Sequence, residues 1–100
     1  MRVIAYGRLR DYWMLHPEAQ IGLLHWYARI QEGDWKTTLE IISGVGGAKA
    51  LNGERVRFAI HGGSYRLIAS FDFQRGIAYV KFLGSHAEYD RVDALTVAQF

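Results

Sequence analysis

The second half of the chain alternates apolar and polar residues around a pair of glycines, and this pattern restricts the possible folds most strongly. Residues 56–61 and 64–73 show the period of two that is typical of strands with one buried face. Gly62 and Gly63 can both adopt positive φ, as a two-residue primed turn requires. The sequence therefore predicts an antiparallel hairpin. The predicted pairs are His61 with Ser64, Ala59 with Arg66, and Arg57 with Ile68.

A second turn, at Arg75 and Gly76, joins this hairpin to a strand-like run over residues 77–83. A two-residue loop there places Lys81 on the polar face of the sheet. A three-residue loop would bury its unpaired ammonium group among apolar side chains, which costs free energy. The two-residue loop is therefore favoured. The pairs that it predicts are Phe71 with Val80, Ser70 with Lys81, Ala69 with Phe82, and Arg66 with Ser85.

These registers divide the sheet into two faces of different character. The apolar face is expected to pack against helices. Its members are Val56, Phe58, Ile60, Leu67, Ala69, Phe71, Val80 and Phe82. The opposite face carries Arg57, His61, Ser64, Arg66, Ser70, Asp72, Tyr79, Lys81 and Ser85, with Ile68 and Leu83 among them. Three cations, Arg57, Arg66 and Lys81, are therefore expected to converge on one face.

The first half of the chain has helical periodicity. Residues 2–5 fit a short strand and residues 7–16 fit a first helix, which carries Leu9, Tyr12, Trp13 and His16 at helical spacing. Pro17 fits the first position of a second helix, which ends near Gly33. The buried stripe of that helix is predicted to be Ile21, Leu24, Tyr27 or Ala28, and Ile30, with Trp26 off the stripe.

The connection between the two halves is rich in glycine. Thr37 or Thr38 is predicted to cap a short helical turn through Ile42. Residues 43–53 hold four glycines and predict a mobile connection with a short strand near residues 48–51. The whole pattern predicts an α+β fold in which two N-terminal helices pack on one face of a curved antiparallel sheet of about four strands.

The composition is that of a small folded domain. The chain has 100 residues, 50% of them hydrophobic, and no cysteine, which excludes disulfides and thiolate metal sites. The apolar stretch after Arg2 is too short for a signal-peptide core, and no run approaches the roughly 20 apolar residues that span a bilayer. We therefore expect one domain over residues 1–100, located in the cytoplasm, with no membrane partner. The net charge of +2 permits a nucleic-acid partner without requiring one.

A histidine and a tyrosine follow the last strand, beside the expected cations. Cleavage of RNA through its own 2′-hydroxyl needs a base, an acid, and cations for the phosphate charge. His86 can serve as acid or base near neutral pH, and Tyr89 can stack on a nucleobase or pass a proton. The candidate catalytic residues are His86, Tyr89, Arg66 and Lys81. The candidate RNA-binding residues are Arg57, His61 and Arg75.

The remaining carboxylates and tryptophans are interpreted as structural or interface residues. His86 and Asp90 lie four residues apart, but two ligands are too few for a catalytic zinc site, so neither a metal nor a cofactor is expected. Asp90 and Asp93 are predicted to be structural. The three tryptophans are predicted to lie in the core or in a partner interface. Residues 94–100 are too few to interpret.

The sequence resembles the HigB-type toxins, which are RelE-like mRNA interferases of bacterial toxin–antitoxin pairs. The motifs that carry the resemblance are Arg2-Val3-Ile4-Ala5, His16-Pro17-Glu18-Ala19, Trp26-Tyr27-Ala28, Asp34-Trp35-Lys36-Thr37, Arg55-Val56-x-Phe58, Ile60-x-Gly62, Tyr65-Arg66-Leu67-Ile68 and residues 84–93. The resemblance implies a RelE-like fold and ribosome-associated cleavage of mRNA. It also implies a cognate HigA-like antitoxin with a helix-turn-helix domain, so that DNA is contacted only through the antitoxin.

The chain departs from the family pattern at three places. The hairpin loop reads His61-Gly62-Gly63-Ser64 where the family usually has Lys-Gly-Asn-Lys, Gly46 stands where a basic residue is common, and Ser85 replaces the usual Thr. The first two changes remove cations or polar groups from the expected RNA face. Two alternatives to the nuclease stay open. One is a ParE-like toxin that blocks a protein target such as DNA gyrase, and the other is a degenerate copy that still binds its antitoxin.

Overall fold

A computed structural model describes residues 1–100 and shows an α+β fold with four helices and five strands. The strands are β1 (Arg2–Ile4), β2 (Ala48–Ala50), β3 (Arg55–Ile60), β4 (Tyr65–Asp72) and β5 (Ile77–Ser85). The helices are α1 (Tyr6–Leu15), α2 (Gln20–Glu32), α3 (Thr38–Gly44) and α4 (His86–Tyr89). None of the helices has the length and apolar composition that crossing a membrane requires.

The five strands form one open sheet in the order β1-β5-β4-β3-β2. Strand β1 pairs in parallel with β5, and all other neighbours are antiparallel. The sheet is therefore mixed and has five strands, where the sequence predicted about four antiparallel ones. The short segments at both edges account for the difference, because β1 and β2 each contribute only three residues.

The helical half matches its prediction in position but not in orientation. Helix α2 buries Leu23, Trp26 and Ile30, whereas Ile21 is 84% exposed. The predicted stripe through Ile21 and Leu24 is therefore wrong. The helix is rotated so that Trp26, expected to lie off the stripe, contacts Phe58 edge-on with ring centroids 5.4 Å apart. Burial of the Trp26 side chain therefore outweighs burial of Ile21 and Leu24.

The predicted cap of the third helix is confirmed. Helix α3 begins after Thr37, whose hydroxyl accepts a hydrogen bond from the Glu40 N–H at 3.2 Å. The Glu40 carboxylate in turn accepts from the Lys36 N–H at 2.9 Å. These two bonds satisfy backbone donors that a helix start would otherwise leave unpaired.

The hairpin of β3 and β4 has the predicted register. Ala59 pairs with Arg66 and Arg57 pairs with Ile68. The loop is wider than two residues because His61 also adopts positive φ, at 52°, together with Gly62 and Gly63. The N–H of Ser64 donates to the His61 carbonyl at 3.2 Å and closes the loop.

The register between β4 and β5 differs from the prediction. Ser70 pairs with Tyr79 and Phe71 with Ala78, because the turn after β4 is longer than two residues and reaches positive φ at Gly76. An irregularity next to Ile68 then shifts the pairing.

This irregularity has the form of a β-bulge with Lys81 as the extra residue. Ala69 pairs with Val80 and Ile68 with Phe82, so Lys81 has no partner on β4. An extra residue reverses the alternation of the following side chains. Leu83 therefore joins the core, and Phe82 moves to the opposite face, the reverse of the prediction. The predicted pairing of Arg66 with Ser85 is also wrong, since Arg66 pairs with Gly84.

The main core lies between the helices and one face of the sheet. It contains 19 buried residues, including all three tryptophans. The other face, which we call the outer face, has its own buried pair, Ile68 and Phe82. The sheet is therefore covered on both sides.

The last eight residues, 93–100, cross the outer face as a segment that we call the C-terminal strap. Arg55 is 8% exposed, and its Nη1 donates to the carbonyls of Ala94 at 3.1 Å and Val97 at 2.8 Å. The Gln99 N–H donates to the Lys81 carbonyl at 2.8 Å, and the Gln99 side-chain oxygen accepts from the Leu83 N–H at 2.9 Å. The strap thus holds β5 at the bulge and just after it.

Candidate functional site

The site begins at the short helix α4, which follows β5 directly. Ser85 and Glu88 form a capping box, with the Glu88 N–H donating to the Ser85 hydroxyl at 3.1 Å and the Ser85 N–H donating to the Glu88 carboxylate at 2.9 Å. Hydrogen bonding to the Glu88 carboxylate from the Ser85 N–H, and from the Ser85 side chain, lowers the pKa of the Glu88 carboxyl. Ser85 therefore provides the hydroxyl cap that Thr would provide.

The first residue of α4 is His86, which is held at two points. Its N–H donates to the Ser64 carbonyl at 2.9 Å, which fixes the helix against the β3–β4 hairpin. Its Nδ1 lies 3.1 Å from Oδ2 of Asp90, one turn along the chain. With the proton on Nδ1, the ring donates to Asp90 and leaves Nε2 available to a substrate. His86 itself is exposed.

Tyr89 lies between the helix and the outer face of the sheet. Its ring contacts Phe82 edge-on at 6.2 Å, and the Arg66 guanidinium lies 5.9 Å from its centre. A Cβ on Gly84 would approach Phe82 to 2.7 Å, so this edge-on contact needs glycine at that position. The bulge matters here, because it brings Phe82 to the face where Tyr89 lies.

Arg57 and Arg66 supply positive charge to this end of the outer face. Neither takes part in the ion pairs of the protein, and the Nε atom of each is buried without a hydrogen-bond partner. They occupy diagonal positions on β3 and β4, where residues are about 7–8 Å apart. Two uncompensated guanidinium groups on one face favour a multiply charged anion as ligand.

The structure brings together three of the four candidate catalytic residues. His86 and Tyr89 lie three residues apart on α4, and Arg66 contacts Tyr89. Lys81 lies five residues before His86 along β5, a distance of roughly 16 Å at the usual rise of a strand. Its ammonium group lies 5.5 Å from the Tyr79 ring, and the strap contacts its backbone.

Of the three candidate RNA-binding residues, only Arg57 lies beside Arg66 on the outer face. Arg75 is in the β4–β5 turn, where its Nε lies 3.8 Å from the Asp72 carboxylate. His61 was expected on the polar face with Arg57, but the positive φ turns its ring toward the helix side, 6.3 Å from the Tyr65 ring. RNA binding by His61 and Arg75 stays a prediction.

A cluster of aromatic and carboxylate groups supports α4 from the helix side. The His16 ring stacks on Tyr12 at 4.3 Å, and the Tyr65 hydroxyl donates to Glu18. The Tyr12 hydroxyl is buried without a partner. Burial, together with the negative charges of Glu88 and Glu18, raises the pKa of Tyr12 to about 12. None of these residues was assigned to the functional site from the sequence.

Two contacts within the site had a recognisable sequence pattern. The capping box follows the Ser-x-x-Glu spacing of Ser85 and Glu88. The contact of His86 with Asp90 follows the four-residue spacing of helical neighbours. No group of three or more His, Asp or Glu side chains is arranged so that it could hold a metal ion.

The structure has a RelE-like α+β fold, with two helices on one face of an open sheet. Arginines and a His–Tyr pair lie at one end of the other face. The chain belongs to the HigB toxin family, because the family model described as the RelE-like toxic component of a toxin-antitoxin system matches residues 19–92. Membership implies an antitoxin partner. A comparison with curated proteins found no match. The strap lies outside the matched residues.

Proposed function

We propose that this protein is an endoribonuclease toxin that cleaves mRNA, on the ribosome and in the cytoplasm. The observation that carries the proposal is the convergence of His86, Tyr89 and Arg66 at one end of the outer face. Together these side chains provide an acid/base group, a stacking surface and a phosphate-binding cation. A protein that only blocks another protein needs no such combination.

The proposed reaction is attack of the RNA 2′ oxygen on the neighbouring phosphorus. A bond forms between the 2′ oxygen and phosphorus, and the bond from phosphorus to the 5′ oxygen breaks. His86 takes the 2′ proton through Nε2, while Asp90, 3.1 Å from Nδ1, stabilises the imidazolium that forms. The Tyr89 hydroxyl gives a proton to the departing 5′ oxygen. The products are a 2′,3′-cyclic phosphate and a free 5′ hydroxyl.

Arg66 binds the phosphate in this proposal, with Arg57 beside it. A guanidinium group can donate two hydrogen bonds to one phosphate, and it has no competing carboxylate here. The charge on the phosphate grows in the transition state, so the contact stabilises that state more than the bound substrate. The reaction as written requires no metal ion or cofactor.

The proposed partners follow from the same function. The antitoxin is a HigA-like protein with a helix-turn-helix domain, and DNA is contacted only through it. The substrate is mRNA, presented by the ribosome. RNA contacts beyond Arg66 are assigned to Arg57, and more weakly to His61 and Arg75.

Expression in bacteria without the antitoxin tests this function. The toxin should stop growth and shorten mRNA half-lives while the chromosome stays intact. The His86→Ala variant, expressed to the same level, should allow growth. Growth arrest with broken DNA and stable mRNA would instead support the gyrase-blocking alternative and contradict the proposal.

A further inference from the structure

Helix α2 exposes a face that includes Ile21, which the sequence pattern predicted to be buried. Because Leu23, Trp26 and Ile30 point inward, Ile21, His25 and Arg29 lie one above another at four-residue intervals on another face. All three line one cleft. Ile21 is 84% exposed although its place in the sequence pattern is that of a core residue.

The cleft has a volume of about 310 Å³ and lies on the helix side of the sheet. Helix α2 forms one wall, the segment between α3 and β2 forms another, and the end of β3 with His61 closes it. Gly22, Gly44 and Gly46 line it, and a Cβ at Gly46 would have no atom within 4 Å. The backbone at Gly46 is therefore accessible to a docked chain.

The charge of the cleft is positive and uncompensated. None of its lining residues is Asp or Glu. Arg29 makes no ion pair, and its guanidinium lies 4.8 Å from the Trp35 ring. Trp35 is itself fixed, since its Nε1 donates to the Ile30 carbonyl at 3.1 Å. A cation held in place before binding loses little side-chain entropy when a carboxylate arrives.

We propose that this cleft is the docking site for the antitoxin. The segment that it accepts carries an apolar side chain, which packs on Ile21 and Ile60, and a neighbouring Asp or Glu, which pairs with Arg29. Such a pairing of apolar and charged contacts is typical of protein interfaces. The inference rests on the antitoxin partner that family membership implies, and it does not require the protein to be a ribonuclease.

The location of the cleft favours a protein over RNA as its occupant. Arg66, His86 and Tyr89 lie at the outer face or on α4, whereas the cleft lies across the sheet from Arg66. Its lining is half hydrophobic and contains one arginine, which suits a peptide segment better than a phosphate backbone. An antitoxin bound there would leave His86 uncovered.

The test is the affinity of the whole toxin for the antitoxin encoded beside its gene, measured by calorimetry. Ile21→Asp and Arg29→Glu should each raise the Kd by about 10- to 100-fold. The matched controls are Met14→Asp, at a 71% exposed residue on α1, and Arg10→Glu. Both should leave the Kd within about twofold of wild type. Thermal unfolding shows that each variant is folded.

The same variants give a test in cells. Ile21→Asp and Arg29→Glu toxins should still arrest growth, and co-expressed antitoxin should no longer rescue it. Wild-type Kd values for both cleft variants would overturn the proposal, as would an equal loss in the controls. A loss of RNA binding with normal antitoxin binding would assign the cleft to RNA and also overturn it. Because the calorimetry contains no RNA, its result is independent of whether the protein is a nuclease.

Discussion

The Arg66 guanidinium lies 5.9 Å from the centre of the Tyr89 ring, which links the middle strands of the sheet to helix α4. Arg66 is placed by the β3–β4 hairpin, and Tyr89 is placed by the capping box of α4 and by Phe82. The two residues come from segments that fold for separate reasons. Their contact is therefore a property of the assembled sheet and helix.

Replacement of Arg66 tests its role in phosphate binding. Arg66→Ala should lower RNA cleavage by roughly 10²–10³-fold, the usual effect of losing one donor to a developing charge. Arg66→Lys should restore only part of the activity, because Lys cannot form the bidentate contact. RNA binding by the wild type should weaken more steeply with salt than binding by Arg66→Ala.

Lys81→Ala is the matched comparison for Arg66→Ala. Its ammonium group lies beside Tyr79 and away from α4, so a smaller loss is expected than for Arg66→Ala. Single-turnover cleavage rates measure both variants. An equal or larger loss for Lys81→Ala would show that the RNA extends across the strap to Lys81.

Gly84→Ala should disturb the edge-on contact between Phe82 and Tyr89. The added Cβ would lie 2.7 Å from the Phe82 ring, and overpacking of this kind costs about 1–3 kcal/mol in the free energy of unfolding. Gly53→Ala is the control, because a Cβ there meets nothing within 4 Å. Urea unfolding compares the two. Equal free energies of unfolding for both variants would mean that Phe82 and Tyr89 move to accommodate the Cβ without loss of stability.

Gln99→Ala tests whether the strap stabilises β5. The change removes the acceptor of the Leu83 N–H and should lower the free energy of unfolding by about 1 kcal/mol. For a domain of this size, that corresponds to a decrease in Tm of about 4–8 °C. Gln74→Ala, in the β4–β5 turn, should change Tm little. If calorimetric scans give the same Tm for Gln99→Ala and Gln74→Ala, the strap contributes no stability.

Tyr12→Phe tests the buried phenol through the pH dependence of stability. The pKa of Tyr12 is raised from 10.0 to about 12 by burial and nearby carboxylates, so its stabilising effect is present below pH 10 and is lost as the pH rises toward 12. Tyr12→Phe lacks this loss. The variant should therefore become progressively more stable than wild type between pH 10 and 12, in urea unfolding at each pH. A difference independent of pH would contradict the assignment.

The hairpin could be predicted because two glycines and a clear alternation fix its register locally. The next register could not, since neither the longer turn after Asp72 nor the bulge at Lys81 leaves a mark in the alternation of apolar and polar residues. The exchange of Phe82 and Leu83 follows from that one extra residue.

The remaining differences depend on tertiary contacts. Helix α2 carries apolar residues on more than one side, and contact with Phe58 selected the side of Trp26. The strap is fixed by Arg55, which lies some 40 residues earlier in the chain. His86 and Tyr89 could be placed near each other because both directly follow the last strand, although the sequence pattern did not predict the helix that carries them. Arg66 could be placed because the hairpin register was correct.

The role of His86 is the centre of this account, and cleavage of ribosome-bound mRNA by the purified toxin tests it most directly. His86→Ala should cleave about 10²–10⁴-fold more slowly than wild type, the usual contribution of a positioned acid or base. It should bind the antitoxin with unchanged affinity. His25→Ala, on the other side of the sheet, should cleave at the wild-type rate. Cleavage by His86→Ala at the wild-type rate would contradict the proposed mechanism.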